Sequence, residues 1–329
     1  MVNLLGDTVD LHIDNYKFSI DFGCGTERLN FVSHAHSDHT NMARSSKEIV
    51  ASVETGALVE TRYGIKPNVA SVPEGVSLLD AGHVLGAKQI LCKDDDTKMV
   101  YTGDYLMQDS KVAPKIRIEH ADIAIMDSTY PSPKIKFEER DEVIDAIKAF
   151  VDSKTKIGHV LFEAHALGKA QELIYIMNSI GIMPAVSSKI ARVSEKYKEL
   201  GVNLEFAEYV QGSSAYDVYI TDASSTRAIK SDVSNNTAYR LFTAVATGFA
   251  KIFKFSTDVQ FPLSDHADFW QALEYLERCK PGKTYVVGSS AQTMATFLSE
   301  YGYDAHALEN EHVMYSMPRL QLGTLQNKL

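Results

Sequence analysis

Three histidines and an aspartate stand within six residues, directly after a short apolar run. The run covers residues 29–32, and the cluster that follows it is His34-Ala35-His36-Ser37-Asp38-His39. The run predicts a buried strand, so the cluster lies where the backbone leaves the strand and side chains can converge. Imidazole and carboxylate suit zinc, iron or manganese, and the absence of cysteine from the cluster favours a catalytic metal site over a closed structural one. The cluster constrains the fold, because further ligands must come from other strand ends.

Length and composition indicate a globular enzyme. The chain has 329 residues, of which 45% are apolar, enough for one large or two medium domains with buried cores. No secretory signal opens the sequence, and no stretch approaches the length of a membrane span. The three cysteines, Cys24, Cys92 and Cys279, are far apart and odd in number, which favours a reducing compartment. We therefore expect a cytoplasmic protein that does not contact a membrane.

The charge is distributed unevenly. The formal net charge is −10, yet residues 156–254 carry 11 Lys and Arg against 9 Asp and Glu, a balance of +2. The remainder carries 22 against 34, a balance of −12. A carboxylate-rich part joined to a mildly basic part is compatible with an anionic substrate between them, although chance explains two charges equally well.

The pattern of apolar residues predicts an α/β protein with an inserted domain. Residues 8–24 alternate like a hairpin that ends in a Gly-rich turn at 23–25, and residues 49–62 have a helical pattern. Strands and helices then alternate along the chain. The expected strands are 75–79, 89–92, 99–102, 123–126, 158–162, 204–209, 218–221 and 284–287, with a strand-rich stretch at 240–255; the expected helices are 141–152, 170–177, 190–200, 267–278 and 291–301. We expect a host domain formed by residues 1–156 and 243–329, and an inserted domain formed by residues 157–242.

Three further residues at predicted strand ends or helix starts are candidate metal ligands. His83 lies between Gly82 and Gly86, where the backbone can approach a ligand closely, and Asp104 follows a strand. His266 precedes a helix. Each has an ordinary alternative: a loop residue for His83, a turn former for Asp104, and a helix cap at Ser264 or Asp265.

Taken in this order, the motifs resemble those of the metallo-β-lactamase superfamily. Asp127-Ser128-Thr129-Tyr130 resembles the acidic motif of the β-CASP nucleases within that superfamily. Ala166-Leu167-Gly168-Lys169-Ala170-Gln171-Glu172 is similar to the stretch that opens their inserted domain, and Ser264-Asp265-His266-Ala267-Asp268 is similar to their last motif. The length is most similar to a short prokaryotic subgroup that includes ligase-associated DNA exonucleases and mRNA 3′-end processing factor-like proteins. The resemblance implies a four-layer αββα sandwich with an inserted β-CASP-like domain.

The resemblance also implies two metal sites that share one carboxylate. One metal would be held by His34, His36, His83 and Asp104, and the second by Asp38, His39, Asp104 and His266. Zinc is the expected metal, with manganese as the alternative, and a hydroxide between the metals would be the nucleophile. Asp21 resembles an acid that fixes the histidine tautomers, and Ser33 and Asp268 are weaker candidates for that role.

The sequence departs from the family pattern in two places. Longer β-CASP enzymes carry a middle histidine, assisted by the acidic motif, but no histidine stands between Ala238 and Asp265 here. His165 or Lys251 could contact the scissile phosphate instead, against the alternative that His165 only packs at a strand end. Near the C-terminus, Ser289 and Ser290 stand where related exonucleases tend to have a His-Gly pair, and they could cradle a phosphate or cap the following helix.

The implied function is a dinuclear nuclease of DNA or RNA, with exonuclease action favoured and Asp38, His39, Asp127 and His165 as the expected catalytic residues. Basic residues that could contact the strand are Lys169, Lys189, Arg192, Arg227, Lys230, Lys251 and Lys254, although each is more commonly an ordinary solvated side chain at the surface. Two alternatives stay open: a small-molecule metallohydrolase on the same fold, and a nucleic-acid-binding subunit with weakened chemistry. A homodimer and partners in DNA repair or RNA processing stay open as well.

Overall fold

The computed structural model describes residues 2–5, 8–13, 16–21, 29–45, 48–94 and 97–308. The expected turn at 23–25, with Cys24, lies outside these ranges, and so do residues 95–96. Three sheets of six strands each make up the described β-structure. None of the helices in the described ranges is long and apolar enough to cross a bilayer.

The first sheet is built from the N-terminal quarter of the chain. Its order is β1 (Val2–Leu5), β2 (Thr8–Ile13), β3 (Tyr16–Ile20), β4 (Leu29–Phe31), β5 (Glu48–Val50) and β6 (Asn68–Val69). β1, β2 and β3 pair antiparallel, and β3 to β6 pair in parallel. The His34–His39 cluster therefore leaves the sheet at the carboxyl end of one of its parallel strands.

The second sheet combines strands from both ends of the chain. Its order is β18 (Ala305–Ala307), β17 (Lys283–Val287), β10 (Ile123–Asp127), β9 (Thr97–Tyr101), β8 (Lys88–Asp94) and β7 (Val76–Asp80). β9, β10, β17 and β18 pair in parallel, while β7, β8 and β9 pair antiparallel. β10 and β17 lie side by side although more than 150 residues separate them, so the intervening chain leaves this sheet and returns to it.

Alternating side chains show that these two sheets form the middle of a sandwich. In β9, Met99 and Tyr101 pack with Phe31 and Val50 of the first sheet, whereas Val100 packs in the other core cluster, on the helix side. Successive side chains of a strand point to opposite faces, so one face of each sheet contacts the other sheet and the opposite face contacts helices. The α/β class with a four-layer αββα arrangement is therefore confirmed.

Eight α-helices and one 3-10 helix lie in the described ranges. They are α1 (Asn41–Arg44), α2 (Val53–Tyr63), α3 (Arg140–Thr155), α4 (Lys169–Asn178), α5 (Ser188–Glu199), α6 (Thr226–Asn236), α7 (Phe269–Cys279), α8 (Ala291–Glu300) and the 3-10 helix Gly248–Lys251. In α3, Val143, Ile144, Ile147 and Val151 are buried at helical spacing, as expected for an amphipathic helix.

The third sheet is entirely parallel and belongs to the middle of the chain. Its order is β13 (Ala207–Glu208), β12 (Ala185–Val186), β14 (Val218–Thr221), β11 (Gly158–Glu163), β15 (Arg240–Ala246) and β16 (Val259–Phe261). Its strands alternate with α4, α5 and α6, the arrangement that right-handed βαβ crossovers produce. The predicted boundary at residue 242 falls within β15, and the division into an inserted and a host domain stays a prediction.

Most expected elements are present, and the differences have physical reasons. The helix expected over 49–62 begins only at Val53, because β5 pairs with β4 first. α6 is missing from the sequence expectation, since only Ile229 and Val233 of its 11 residues are buried and the apolar signal is weak. The strand-rich stretch at 240–255 contains β15, but beyond Ala246 the chain turns into the 3-10 helix.

Candidate metal centre

Four loops and one strand end bring the candidate ligands to one place. The loops after β4 and β9 carry the His34–His39 cluster and Asp104, and Asp127 is the last residue of β10. The loop between β7 and β8 carries His83, and the loop before α7 carries His266. The carboxyl ends of neighbouring parallel strands meet at one edge of a sheet, so strand order alone already gathers several of these residues.

Three imidazoles face one another across a space about the size of an ion. His34 Nε2 and His83 Nε2 each lie 3.0 Å from His36 Nδ1. Asp104 Oδ2 completes the group at 3.4 Å from His34 Nε2 and 3.6 Å from His83 Nε2. Together the four residues have the donor set of a cation site.

Each of these rings has one nitrogen that faces the other histidines, the inner nitrogen, and one that faces away, the outer nitrogen. The hydrogen bond of the outer nitrogen decides whether the inner nitrogen carries a hydrogen or a lone pair. His36 Nε2 donates to the carbonyl of Leu167 (3.2 Å), and His83 Nδ1 donates to the carbonyl of Asp265 (2.8 Å). A carbonyl oxygen only accepts, so these outer nitrogens carry the hydrogen and the inner ones carry a lone pair.

The same argument holds for the third imidazole. Ser33 Oγ donates to Asp21 Oδ2 at 2.8 Å and therefore accepts from His34 Nδ1 at 2.9 Å. Three lone pairs then point at each other with no hydrogen between them, an arrangement that repels unless a cation lies at its centre. The residues present therefore fit a metal ion on structural grounds.

Burial and mutual repulsion keep these imidazoles neutral. Loss of hydration, followed by the charges of the neighbouring histidines, holds the pKa of His34 and of His83 well below the usual 6.5. The pKa of His36 is lowered for the same reasons. Neutral imidazole is the form that binds a metal, so at neutral pH no proton has to leave these rings.

Asp21 organises both the His34–His39 cluster and the strands beneath it. Its buried carboxylate accepts from Ser33 N (2.7 Å), Ser33 Oγ (2.8 Å), His39 Nδ1 (2.8 Å) and Tyr101 Oη (2.8 Å). The Asp21 backbone has φ 47°, a left-handed conformation that is uncommon outside glycine. Four donors on one carboxylate offset that strain and fix His39 with its Nε2 facing inward.

A second group contains Asp104, Asp127 and His266, whose ligand atoms all lie within 4.8 Å of one another. His266 Nδ1 is 3.5 Å from Asp127 Oδ2 and 3.9 Å from Asp104 Oδ2, too far for good hydrogen bonds. This nitrogen is buried and has no hydrogen-bond partner among the residues that the structure describes. An orphaned buried nitrogen facing two carboxylates is what a missing cation would leave, so this group also fits a metal.

His39 and Asp38 flank the second group. His39 Nε2 is 3.6 Å from Asp104 Oδ2 and 3.7 Å from Asp38 Oδ2. The Asp38 side chain is 68% exposed and lies on the rim. Of the expected set of Asp38, His39, Asp104 and His266, three are buried or half-buried around one point, and Asp127 is closer to His266 than Asp104 is.

The carboxylates of the second group raise the pKa values of the histidines that face them. Burial opposes protonation of His39 and His266, but Asp104, with Asp21 or Asp127, outweighs it and raises their pKa to about 10 and about 9. Burial raises the pKa of Asp104 to about 6 despite the opposing effect of His39. The raised pKa values favour protonation of both rings, so a cation bound here would compete with protons.

A buried network of charges anchors the loop that carries His266. Arg140 of α3 forms a two-pronged ion pair with Glu172 of α4 and also donates to the carbonyl of Ser264. Lys169 Nζ lies 2.5 Å from Asp265 Oδ1, which is 3.3 Å from Arg140. The Asp265 carbonyl in turn accepts from His83, so the motif around Lys169 and Glu172 positions the candidate ligands His83 and His266.

Two glycines permit the close approach of these loops. Gly103, with φ 54°, precedes Asp104, and a Cβ there would lie 2.8 Å from Ser33 Cβ. Gly168, with φ 91°, precedes α4, and a Cβ there would lie 2.5 Å from Val84 Cγ1. Any larger residue would push apart the loops that carry Asp104, His83 and the Leu167 carbonyl.

Comparison with known proteins finds relatives that act on nucleic acids, judging by their names. No protein-family model matches the chain. It is 27% identical over 319 residues to a probable DNA ligase of Opitutus terrae, covering 90% of this chain and 31% of that protein. It is 28% identical over 206 residues to the human DNA cross-link repair 1A protein (57% and 19% covered), and 32% identical over 103 residues to an RNase J-like protein of Methanocaldococcus jannaschii (30% and 24% covered).

The fold has a counterpart among solved structures. A protein of unknown function from Enterococcus faecalis superposes with a TM-score of 0.63 over 93% of this chain and 95% of its own, at 11% sequence identity. That likeness concerns the fold alone. The sequence motifs, the related proteins and the geometry of the candidate ligands all point to the same family. The chain belongs to the β-CASP group of the metallo-β-lactamase superfamily. It spans less than a third of the length of each of the three relatives named.

Two further expected residues of this β-CASP chain have contrasting environments. His165 is exposed on the rim, with its ring 6.2 Å from that of His36, so it faces the site rather than a packed interior. Burial of part of the ring lowers its pKa. Lys169, expected to contact substrate, is buried and paired with Asp265, so its ammonium does not reach the surface.

The other expected substrate contacts lie near the surface. Lys251 forms an ion pair with Glu138 and keeps 28% of its side chain exposed. Ser289 is exposed, and Ser290 is the N-cap residue of α8 but makes no side-chain capping bond. The helix cap expected at Ser264 or Asp265 is instead Asp268, which accepts from Gln271 N at 2.9 Å.

Several residues of the β-CASP site gave no signal in the sequence. Arg140 looks like an ordinary helix-start cation, yet it is 5% exposed and organises the charge network. The carbonyls of Leu167 and Asp265 are backbone groups, which no side-chain pattern can reveal. The sequence predicted Tyr101 only as part of a strand. Its hydroxyl contacts Asp21 because the first and second sheets pack face to face.

Proposed function

We propose that this protein is a nuclease that holds two divalent metal ions and hydrolyses phosphodiester bonds of DNA or RNA. The observation that carries the proposal is the pair of ligand groups that share Asp104, one with three converging imidazole lone pairs and the other with an orphaned imidazole nitrogen. The names of the relatives, which refer to DNA ligation, DNA cross-link repair and RNase action, support a nucleic acid as the substrate.

Cations in these positions would neutralise a phosphodiester and lower the pKa of a bound water from about 15.7 toward ~7. The chain supplies the remaining functions. Asp38 and Asp127, at the rim and the floor, can hold the proton that the attacking water loses. His165, exposed beside His36, is the candidate donor to the leaving oxygen, because a bound phosphate raises the pKa that its surroundings lower.

Zinc is the metal we propose, because three imidazoles form a ligand set typical of catalytic zinc, and manganese is the alternative on the carboxylate side. We propose exonuclease action and a cytoplasmic location as well. A homodimer and partners in DNA repair or RNA processing are compatible with this function. None of them is required by the geometry of the site.

The decisive experiment is digestion of end-labelled single- and double-stranded DNA and RNA with zinc or manganese, alongside metal analysis. A double variant, Asp38→Ala with His39→Ala, is the inactive control, and Asp80→Asn is the matched control because Asp80 makes only a partly exposed pair with Lys88. Two metals per chain with cleavage that the double variant abolishes is the expected result. Two metals with hydrolysis of a small diester alone would favour the small-molecule hydrolase. Bound metal without any hydrolysis would favour the binding subunit.

A further inference from the structure

A line of aromatic rings leads from the metal centre to the surface. The Tyr130 ring lies 6.1 Å from the His266 ring, the Phe249 ring 5.4 Å from Tyr130, and the Phe253 ring 6.0 Å from Phe249. Exposure rises along the line: Tyr130 is 3% exposed, Phe249 40% and Phe253 55%. The first ring contacts the site, and the last offers a free face to solvent.

The outer rings belong to an exposed apolar patch. Phe249, Ile252 and Phe253 are exposed within five residues, in and just after the 3-10 helix Gly248–Lys251. Exposed apolar side chains that are contiguous rather than scattered mark binding surfaces. We call Phe249 and Phe253 the aromatic platform.

The backbone under the platform is fixed. Gln260 Nε2 donates to the carbonyls of Ala250 (2.7 Å) and Phe253 (3.0 Å), and Gln260 Oε1 accepts from Phe255 N (3.1 Å). One side chain of β16 thus ties both ends of the segment to the third sheet. A surface that is ordered before binding loses less entropy when a ligand stacks on it.

The charges beside the platform suit a polyanion. Lys254 is exposed next to Phe253 in the sequence, and Lys251, which stands between Phe249 and Phe253 in the sequence, pairs with Glu138. Aromatic faces alternating with cationic side chains are typical of surfaces that bind single-stranded nucleic acid, where bases stack on the rings and the cations accompany the phosphates. Paired bases in a duplex already stack on one another, so such a surface favours unpaired bases.

We propose that the aromatic platform stacks the bases of a single-stranded nucleic acid whose phosphodiester lies at the metal centre. This inference rests on the proposed nuclease function and deepens it by naming unpaired strands as the substrate class. The platform lies in the same stretch of sequence where longer relatives carry their middle histidine. Here that stretch contributes binding of the bases.

Fluorescence anisotropy on the metal-loaded full chain tests the platform. The probes are a short phosphorothioate-linked oligothymidylate, which resists cleavage, and an abasic strand with the same linkages and length. We expect the wild-type protein to bind the base-bearing strand at least about tenfold more tightly. Phe253→Ala should reduce the ratio of the two affinities by about tenfold, and Phe253→Trp should leave that ratio unchanged.

Ile252→Ala is the matched control, since Ile252 is an exposed apolar neighbour, 44% exposed, without a ring. It should change binding of either probe by no more than about twofold. Equal losses in Ile252→Ala and Phe253→Ala, or no preference of the wild type for bases, would overturn the proposal. Conversion of a dimer to a monomer by Phe253→Ala, seen by light scattering, would also overturn it and assign the patch to a second copy of the chain.

Cleavage of ordinary single strands separates this inference from the proposed function. A wild-type protein that cleaves but shows no base preference would contradict the platform and leave the nuclease function in place. A protein that prefers bases but cleaves neither DNA nor RNA would contradict the nuclease function and leave the platform as a binding site.

Discussion

The two ligand groups that meet at Asp104 are held together in different ways. In the histidine group, His34, His36 and His83 each have the outer nitrogen fixed by a neutral hydrogen-bond partner, and each ring is kept neutral. In the carboxylate group, His39 and His266 face Asp104 and Asp127, whose charges raise the pKa of both rings. The histidine group is organised by directional hydrogen bonds, and the carboxylate group by charge.

This difference predicts different responses to metal. The histidine group presents lone pairs at neutral pH and loses no proton when an ion binds. The carboxylate group has to exchange protons on imidazolium for the ion. We therefore expect metal binding to be tighter and less sensitive to pH at the histidine group, and each prediction below tests that contrast.

The largest effect is expected from Asp104→Asn, because Asp104 belongs to both groups. Removing its charge takes away the ligand that the groups share and leaves His39 and His266 with one carboxylate fewer. We expect loss of both metals, measured by elemental analysis, and a fall in turnover on the order of 1000-fold or more. Retention of one full equivalent of metal would show that the groups do not depend on Asp104 equally.

Single substitutions should next separate the groups. His36→Ala removes the imidazole whose Nδ1 lies 3.0 Å from the Nε2 atoms of both His34 and His83, and His266→Ala removes the orphaned nitrogen of the other group. Each variant should bind one metal ion rather than two and lose about 100-fold in turnover. If His266→Ala also empties the histidine group, the two sites are coupled and the contrast drawn here is wrong. His306→Ala is a control histidine far from both groups in sequence and exposed.

A smaller effect on both groups is expected from Asp21→Asn. The amide NH₂ of the new asparagine is a hydrogen-bond donor and would face Ser33, His39 and Tyr101, which are donors themselves. Both His34 and His39 would then lose the contacts that orient them. Metal affinity should fall by about 10- to 100-fold, as measured by competition with a chelating dye. Tyr101→Phe removes one of the four hydrogen bonds and leaves the histidine contacts, so a loss of equal size in that variant would assign the effect to the strands rather than to the imidazoles.

The last prediction concerns pH. His39 and His266 hold their protons up to pKa values of about 10 and about 9, so raising the pH from 7 toward 9 removes protons that compete with the ion. Affinity of the carboxylate group should rise about tenfold per pH unit for each proton displaced. The pKa values of the histidine group are already lowered, so its affinity should stay flat over the same range. Calorimetry on the His36→Ala and His266→Ala variants, in buffers of different ionisation enthalpy, measures each group separately, and equal pH slopes would contradict the prediction.

Much of the centre could be anticipated because the ligands lie at strand ends. The apolar run before His34 and the strand before Asp104 place these residues at the sheet edges where loops gather. His165 was expected at the site for another reason, its place beside the motif that begins at Ala166, and its ring lies 6.2 Å from that of His36. Lys169 was expected at the surface because lysine usually lies there, but the buried carboxylates of Asp265 and Glu172 compensate its charge inside.

The contact between Asp127 and His266 could not be predicted from the pattern of side chains in the sequence. The motif of Asp127 marked an acidic residue with a catalytic role, and nothing in its neighbours indicates that its carboxylate lies 3.5 Å from a histidine 139 positions later in the chain. That contact exists because β10 pairs with β17 and the chain between β10 and β17 returns His266 to the same edge.

The sequence alone determined which residue types are available for metal and where along the strands they stand. A run such as His34 to His39 has few other uses, and its spacing is local. Only the tertiary structure decided the protonation and orientation of each ligand, because these depend on the carbonyls of Leu167 and Asp265, 131 and 182 residues away from the imidazoles they fix. Hydrogen bonds and buried charges act over a few ångströms in space, and the fold sets those distances.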